Sequence, residues 1–245
     1  MVMSREETAP LPSTIEASER SSPVAGRQFS LRERKFARTK LALLQAALER
    51  MRSKKLDEIP VKELCDEVQV SEATFFNYFP KKSDLLHYLI KVWTIEVAWH
   101  AQSSVGEECG LRFIEHVFDY TGKKLADHPR LMLEIIAHMA LEPHAAACPK
   151  QNPELSLAER FQAFPECAGV ECVPELGLPE VFRAPLERAV SRGELPGAAD
   201  IEAAVLSLLG IFFGVPLWLG PHDSAQIRPA YKQQLKLLWA GLRCR

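Results

Sequence analysis

The sequence lacks any pair of cysteines at Cys-X-X-Cys spacing; Cys65, Cys109, Cys148, Cys167, Cys172 and Cys244 are scattered. No cysteine-based metal or redox motif therefore stands out, and a start without a charged-then-apolar leader makes reduced cytoplasmic thiols the expectation. No apolar run makes a convincing membrane span: the longest, Ala203 to Leu219, is interrupted by Gly210, Gly214 and Pro216 and reads as a buried helix. No stretch alternates apolar and polar residues in strand fashion, and no internal repeat of fixed period is visible. Catalytic signatures are missing too. There is no Ser-His-Asp elbow, phosphate loop, HExxH or carboxylate pair in helical register, so neither an enzyme nor a cofactor or metal is expected.

What is present is an ordinary globular composition with an uneven charge distribution. The whole chain carries only −2, but residues 29–82 carry +4 and residues 83–245 carry −5. A basic segment ahead of an acidic body suits a head that meets a polyanion. Residues 1–28, rich in Ser, Glu, Pro and Thr, hold too few large apolar groups to offset the entropy of ordering and read as a flexible tail. The expected division is this tail, a head at 29–82 and a larger body at 83–245.

From about Arg32 the pattern is helical. Ala37, Leu41, Leu44, Leu48 and Met51 recur at alternating spacings of four and three, one stripe of a first helix. Pro60 suits the opening of a second helix, striped by Val61, Leu64, Cys65 and Val68. Ser71 suits the N-cap of a third, short helix loaded with Phe75, Phe76 and Phe79 and stopped by Pro80. Ser83-Asp84 would cap a fourth, and further helices are predicted near 108–126, 130–141, 153–165, 176–192, 198–217 and 225–243. The fold class is all-α. The Pro-rich stretch from Cys148 to Pro179 is the least regular part of it.

The informative stretch is Val61 to Leu86, VKELCDEVQVSEATFFNYFPKKSDLL. Two short helices around a tight Gln69-Val70 turn, following a longer helix, make helix-turn-helix geometry, in which the second short helix enters the major groove. Phe75 and Phe79 supply its buried face. Glu72, Ala73, Thr74, Asn77 and Tyr78 supply the outer one, with polar groups suited to base edges and phosphates. The run from Ser71 to Leu86, with KLALLQAA at Lys40–Ala47 before it, resembles the tetracycline-repressor-like family of bacterial regulators over about 55 residues. Three departures stand out. Gln69 sits where the family has a turn glycine, Ala73 replaces a glycine, and Phe76 replaces a tyrosine, removing a phosphate-binding hydroxyl.

The resemblance implies a three-helix head with a C-terminal helical bundle for ligand binding and dimerisation, and a ligand-responsive regulator, a repressor in the usual case. It implies Lys62 on a base edge or phosphate, Thr74, Tyr78 and Lys82 on phosphates, and Glu72, Ala73 and Asn77 facing bases. Arg38 or Lys40 would add a phosphate contact from the first helix. One head meets one half-site, so a homodimer on a palindromic double-stranded operator is expected. Its interface would draw on Ile201, Val205, Leu208 and Phe212 of one apolar helix and Leu235, Leu238, Trp239 and Leu242 of another, with Gly210 and Gly214 allowing close approach. A small apolar effector would sit among Trp93, Phe113, His116, Val117, Tyr120, Ile135, His138 and Met139. The alternative is a body that binds a protein partner or a metal, the latter drawing on the loosely spaced His116, His128, His138, His144 and Cys148. A thiol sensor at Cys167 and Cys172 would sit in a Pro-rich segment with no nearby base.

Overall fold

The computed structural model describes residues 29–106, 109–128, 130–141 and 154–244. Among them there are helices and turns and no strand. The head is α1 (Leu31–Met51), a 3-10 turn (Leu56–Glu58), α2 (Val61–Val68) and α3 (Glu72–Tyr78). α4 (Asp84–Val105) leads into the body, which continues with α5 (Leu111–Asp127), α6 (Leu131–Leu141), α7 (Leu157–Ala163), α8 (Leu178–Ser191), α9 (Ile201–Leu219) and α10 (Ser224–Arg243).

Several helices start where a short polar side chain supplies the cap. Ser30 Oγ accepts from Glu33 N while Ser30 N donates to the Glu33 carboxylate, a closed capping box. Ser71 caps α3 through Thr74 N at 3.1 Å, Asp200 caps α9 through Ala203 N at 3.0 Å, and Ser156 with Glu159 repeats the capping box on α7. At the turn between α2 and α3, Gln69 takes φ 59° and ψ 47°, the left-handed region that favours glycine, while Val70 N reaches back to Cys65 O at 3.0 Å. Gln69→Gly should therefore stabilise the head by up to about 1 kcal/mol and Gln69→Val should destabilise it by at least as much. The midpoint of denaturant unfolding reads both, and a Gly variant no more stable than the parent would refute the strain.

Two cores meet along α4. The lower one joins Leu43, Leu44, Ala47, Leu64, Phe75 and Phe79 of the head to Leu85, Leu86, Leu89 and Ile95 of α4. The upper one gathers α5, α8, α9 and α10 around the rings of Phe118, Phe182, Phe212 and Tyr231; Phe118 meets Tyr231 edge-on at 4.9 Å and stacks on Phe182 at 5.5 Å. Gly122 lets α5 lie close on α10, since a Cβ there would stand 3.1 Å from the Cα of Arg228. α9 is long and apolar enough to cross a membrane by composition, but Ala204, Val205, Leu208 and Phe212 place one side of it in this upper core.

The packing does not divide at residue 83. Leu155, Phe164, Val170 and Val173, from the Pro-rich stretch beyond α6, are buried in the lower core with the head. This is also why the stripe on α1 is broader than its spacing predicts. With α7 against its second side, Leu43, Ala46 and Ala47 are buried while Leu41 and Leu48 are only half-buried. Phe76 does not join the buried payload of α3: its ring is 46% exposed, although it rests edge-on against Phe75 at 5.3 Å.

Candidate nucleic-acid interface

α3 is a helix with two unlike sides. Phe75 and Phe79 are fully enclosed, and their rings, 5.6 Å apart, fix the helix to the head. Glu72, Ala73 and Asn77 face solvent, and Thr74 and Tyr78 flank them half-buried. The Thr74 hydroxyl is 2.9 Å from Ser71 Oγ, so it is oriented at the N-terminus of the helix. Glu72 and Asn77 on this open face make no side-chain hydrogen bond among the described residues, which leaves their polar groups for an external partner.

The cations of the head fall into two groups. Arg50 bridges Glu63 at 2.7 Å and also pairs with Glu67, tying α1 to α2; the Glu63 hydrogen bond raises the Arg50 pKa and lowers that of Glu63. Lys54 adds a longer contact to Glu63, and Arg52 pairs with Glu49. By contrast, Arg32, Lys35, Arg38 and Lys62 are exposed and have no carboxylate partner among the described residues. A surface that neutralises its structural charges but leaves these four open is suited to phosphates.

Two expected phosphate contacts are placed differently. Lys40 is not open to solvent: its ammonium lies 2.8 Å from Glu159 Oε1, with the two side chains 12% and 3% exposed. The reason is periodicity, because Lys40 points to the side of α1 that α7 covers, whereas Arg38 points outward. Lys82 donates to the carbonyl oxygens of Asp57 and Ile59, both at 3.0 Å, so one of its three N–H groups is left for a phosphate.

Sequence reasoning did not find the notch between the first turns of α1 and the end of α3. Leu31, Arg32, Lys35, Phe36, Asn77 and Tyr78 line an open cleft of about 760 Å³. Phe36 meets Tyr78 edge-on at 4.8 Å. The basic start of α1 was the available signal, but only the crossing of α1 and α3 sets its cations beside Asn77.

Residues 43–89 match the family model of bacterial regulatory proteins, tetR family. The match runs from the middle of α1 into α4, so it is the helix-turn-helix head that is similar to that family. A comparison with curated proteins finds no match. Among solved structures, the chain is similar to Salmonella enterica GusR, at 18% identity and a TM-score of 0.58, over 84% of this chain and 96% of that one. It is also similar to FadR of Thermus thermophilus, a TetR-family transcriptional repressor in complex with lauroyl-CoA, at 19% identity and 0.55 over 84% and 96% of the two chains. A third is FadR of Bacillus subtilis with stearoyl-CoA, at 16% and 0.55 over 82% and 98%. At these identities the likeness is one of fold: an N-terminal helix-turn-helix domain and a C-terminal helical domain.

In the body, the eight residues expected at the dimer interface turn inward. Val205, Leu208, Phe212, Leu235 and Trp239 are buried in the upper core, and Ile201, Leu238 and Leu242 pack against it. Trp239 even donates its Nε1–H to Glu115 at 3.1 Å. The outer face of the same two helices carries Leu206, Leu217, Trp218 and Leu237, all exposed, with Trp218 at 89%. Between them a groove of about 410 Å³ is lined by Ser207, Gly210, Ile211, Gly214, Ala230 and Gln234, among others. A helix with large apolar groups on both sides gives no cue to which side its own chain will cover.

The expected effector residues also separate. Phe113 and Val117 are buried in the upper core, with Trp93 and Tyr120 packed against it, whereas Ile135 packs against the lower one. The ring of Trp93 is 5.5 Å from that of Phe212, and Tyr120 donates to Glu96 at 2.7 Å. His138 Nε2 is 2.9 Å from His87 Nε2; His116 and Met139 are half-buried. None of the eight lines either cleft described above. Among the described residues no three His, Cys, Asp or Glu groups converge to hold a metal ion. His144 and Cys148 lie outside the described residues. Cys167 is half-buried and burial raises its thiol pKa, the wrong direction for a reactive thiolate.

Proposed function

We propose that this regulator binds a palindromic operator as a homodimer, reads it with α3, and acts as a repressor released by a small apolar effector. The observation that carries the reading is the two-sided α3, anchored by Phe75 and Phe79 and open at Glu72, Ala73 and Asn77. A major groove about 12 Å wide admits one such helix. The unpaired Arg38 and Lys62 then neutralise phosphates on either side, and a second copy places its own α3 about 34–36 Å away on the same DNA face. The apolar effector is supported by the aromatic body, and two of the structurally similar proteins are complexes with acyl-CoA.

Selection of bound duplexes from random DNA tests the reading directly. Asn77→Ala should change preference at one base of each half-site. Arg38→Ala and Lys62→Ala should weaken all sequences alike and lower the slope of log K against log salt by about one each. Protein that ignores duplex DNA at low salt would end the proposal. For the effector, lauroyl-CoA titrated into the operator complex should release DNA; release requires different affinities for the two states.

A second reading has its own support. The clefts described here lie at the surface while the candidate pocket residues are divided between two cores. That arrangement suits a body that answers to a protein partner. Calorimetry showing no heat and no operator release with acyl-CoA would favour it.

A further inference from the structure

Lys40 sits at a point where four helices come together. Its ammonium is 4.2 Å from the ring centre of Tyr88, 5.3 Å from Phe36 and 5.6 Å from Phe79. Phe36 belongs to α1, Phe79 is the residue that closes α3, and Tyr88 belongs to α4. The counter-charge, Glu159, comes from α7 and is itself held, its Oε2 accepting from Ser156 N at 2.9 Å and Ser156 Oγ at 2.7 Å. Phe36 in turn meets Tyr78 edge-on, so the ammonium lies against Phe79 at the end of α3 and against the α1 ring that touches Tyr78.

The segment that brings Glu159 is also tied to α4. Glu175 pairs with Lys91 at 2.8 Å, and Trp99 Nε1 donates to Ala168 O at 2.9 Å. Arg160, itself buried, donates to Val173 O. Residues 154–176 therefore form a strap that grips the first helix of the head and the helix that leaves it. A buried ion pair adds little to stability compared with an apolar pair of equal volume, but either charge left alone is costly, so the pair enforces one arrangement.

We propose that Lys40 and Glu159 are positioning residues for DNA reading: the pair sets the angle of α3 against α1 and α4, and through it the strap passes any shift of the body to the reading helix. Lys40 does this without touching DNA. The inference rests on the DNA-binding reading above and goes further by assigning a part of the body to the head's geometry. Burial alone would push the Glu159 carboxyl up, yet the ammonium of Lys40 and the hydrogen bonds from Ser156 hold it below the ordinary carboxylate value.

The test compares the full-length protein with Glu159→Gln, Lys40→Met, the double variant and Glu159→Asp, on the duplex recovered by selection. Operator affinity is measured across a salt series, with thermal unfolding in parallel. Each charge-removing single variant should lose about tenfold or more in affinity with the salt slope unchanged, and the double, in which no charge is stranded, should regain the parent's melting temperature while still binding severalfold more weakly because the pair that sets the angle is gone. Glu159→Asp, which keeps the charge and draws it back by one methylene, should lose affinity while staying folded. A slope lower by about one in Lys40→Met would place Lys40 on a phosphate and overturn the proposal. So would single variants that melt earlier but bind the operator as the parent does. If the single variants do not fold, the double and the Asp variant decide. Parent protein that binds no duplex would defeat the DNA-binding reading itself, whereas a binding parent with unaffected variants would defeat this inference alone.

Discussion

Placing glutamate at both Gly210 and Gly214 should leave a folded monomer that binds its operator on the order of 10²–10⁴-fold more weakly than the parent. Both glycines lie on the outer face of α9, and a Cβ added to either meets nothing within 4 Å. The substitutions therefore add no clash inside the chain, and replacing a mid-helix glycine removes a source of helix weakness worth about 1 kcal/mol. In the homodimer proposed above, what they would obstruct is the second copy. Leu206, Leu217, Trp218 and Leu237 form an exposed apolar surface around the groove, and burying it against its own two-fold mate would make a self-complementary contact. Loss of the mate turns two linked half-site contacts into one, which is the source of the large factor. Sedimentation should show the change from dimer to monomer while circular dichroism stays helical. A double variant that remains dimeric with undiminished affinity would place the interface elsewhere. As a contrast, Leu208→Ala, on the covered side of the same helix, should lower stability by about 2–5 kcal/mol.

Phe75→Ala should destabilise the head by about 3–5 kcal/mol and abolish operator binding with it. Its neighbour gives the control. Phe75 is fully enclosed between α2, Phe79 and the lower core, whereas Phe76 is half in solvent with one edge-on contact to Phe75. Phe76→Ala should therefore cost at most about 1 kcal/mol, the worth of an aromatic contact, and its main effect should be on DNA. There the ring stands on the outer side of α3, where, with α3 in the major groove as proposed, an apolar group would meet the methyl of a thymine. Denaturant unfolding separates the two variants by midpoint, and equal losses would contradict the two-sided helix on which the functional reading stands.

Much of this was legible in the chain. Local signals act over one or two turns, so Ser71 marks the start of α3, although Ser83 makes no such cap for α4, and the spacing of Leu64, Phe75 and Phe79 names the buried side of the two short helices. The strain at Gln69 follows from the turn motif and is present in the backbone. The open face of α3 follows from the same periodicity, since a side that carries Glu72, Ala73 and Asn77 has nothing to bury.

Tertiary structure decided the rest, wherever a choice depended on a distant partner. Lys40 and Arg38 differ by two residues on one helix, and only the arrival of α7 makes one of them an internal cation and leaves the other in solvent. α9 is apolar on every side, so its sequence could not say that Val205, Leu208 and Phe212 face α5, α8 and α10 while Leu206, Gly210 and Trp218 face outward. The Pro-rich stretch carries too weak a period to announce that Leu155, Phe164, Val170 and Val173 complete the head. Periodicity fixes which residues of a helix share a side; what that side meets is set by the non-local packing of helices far apart along the chain.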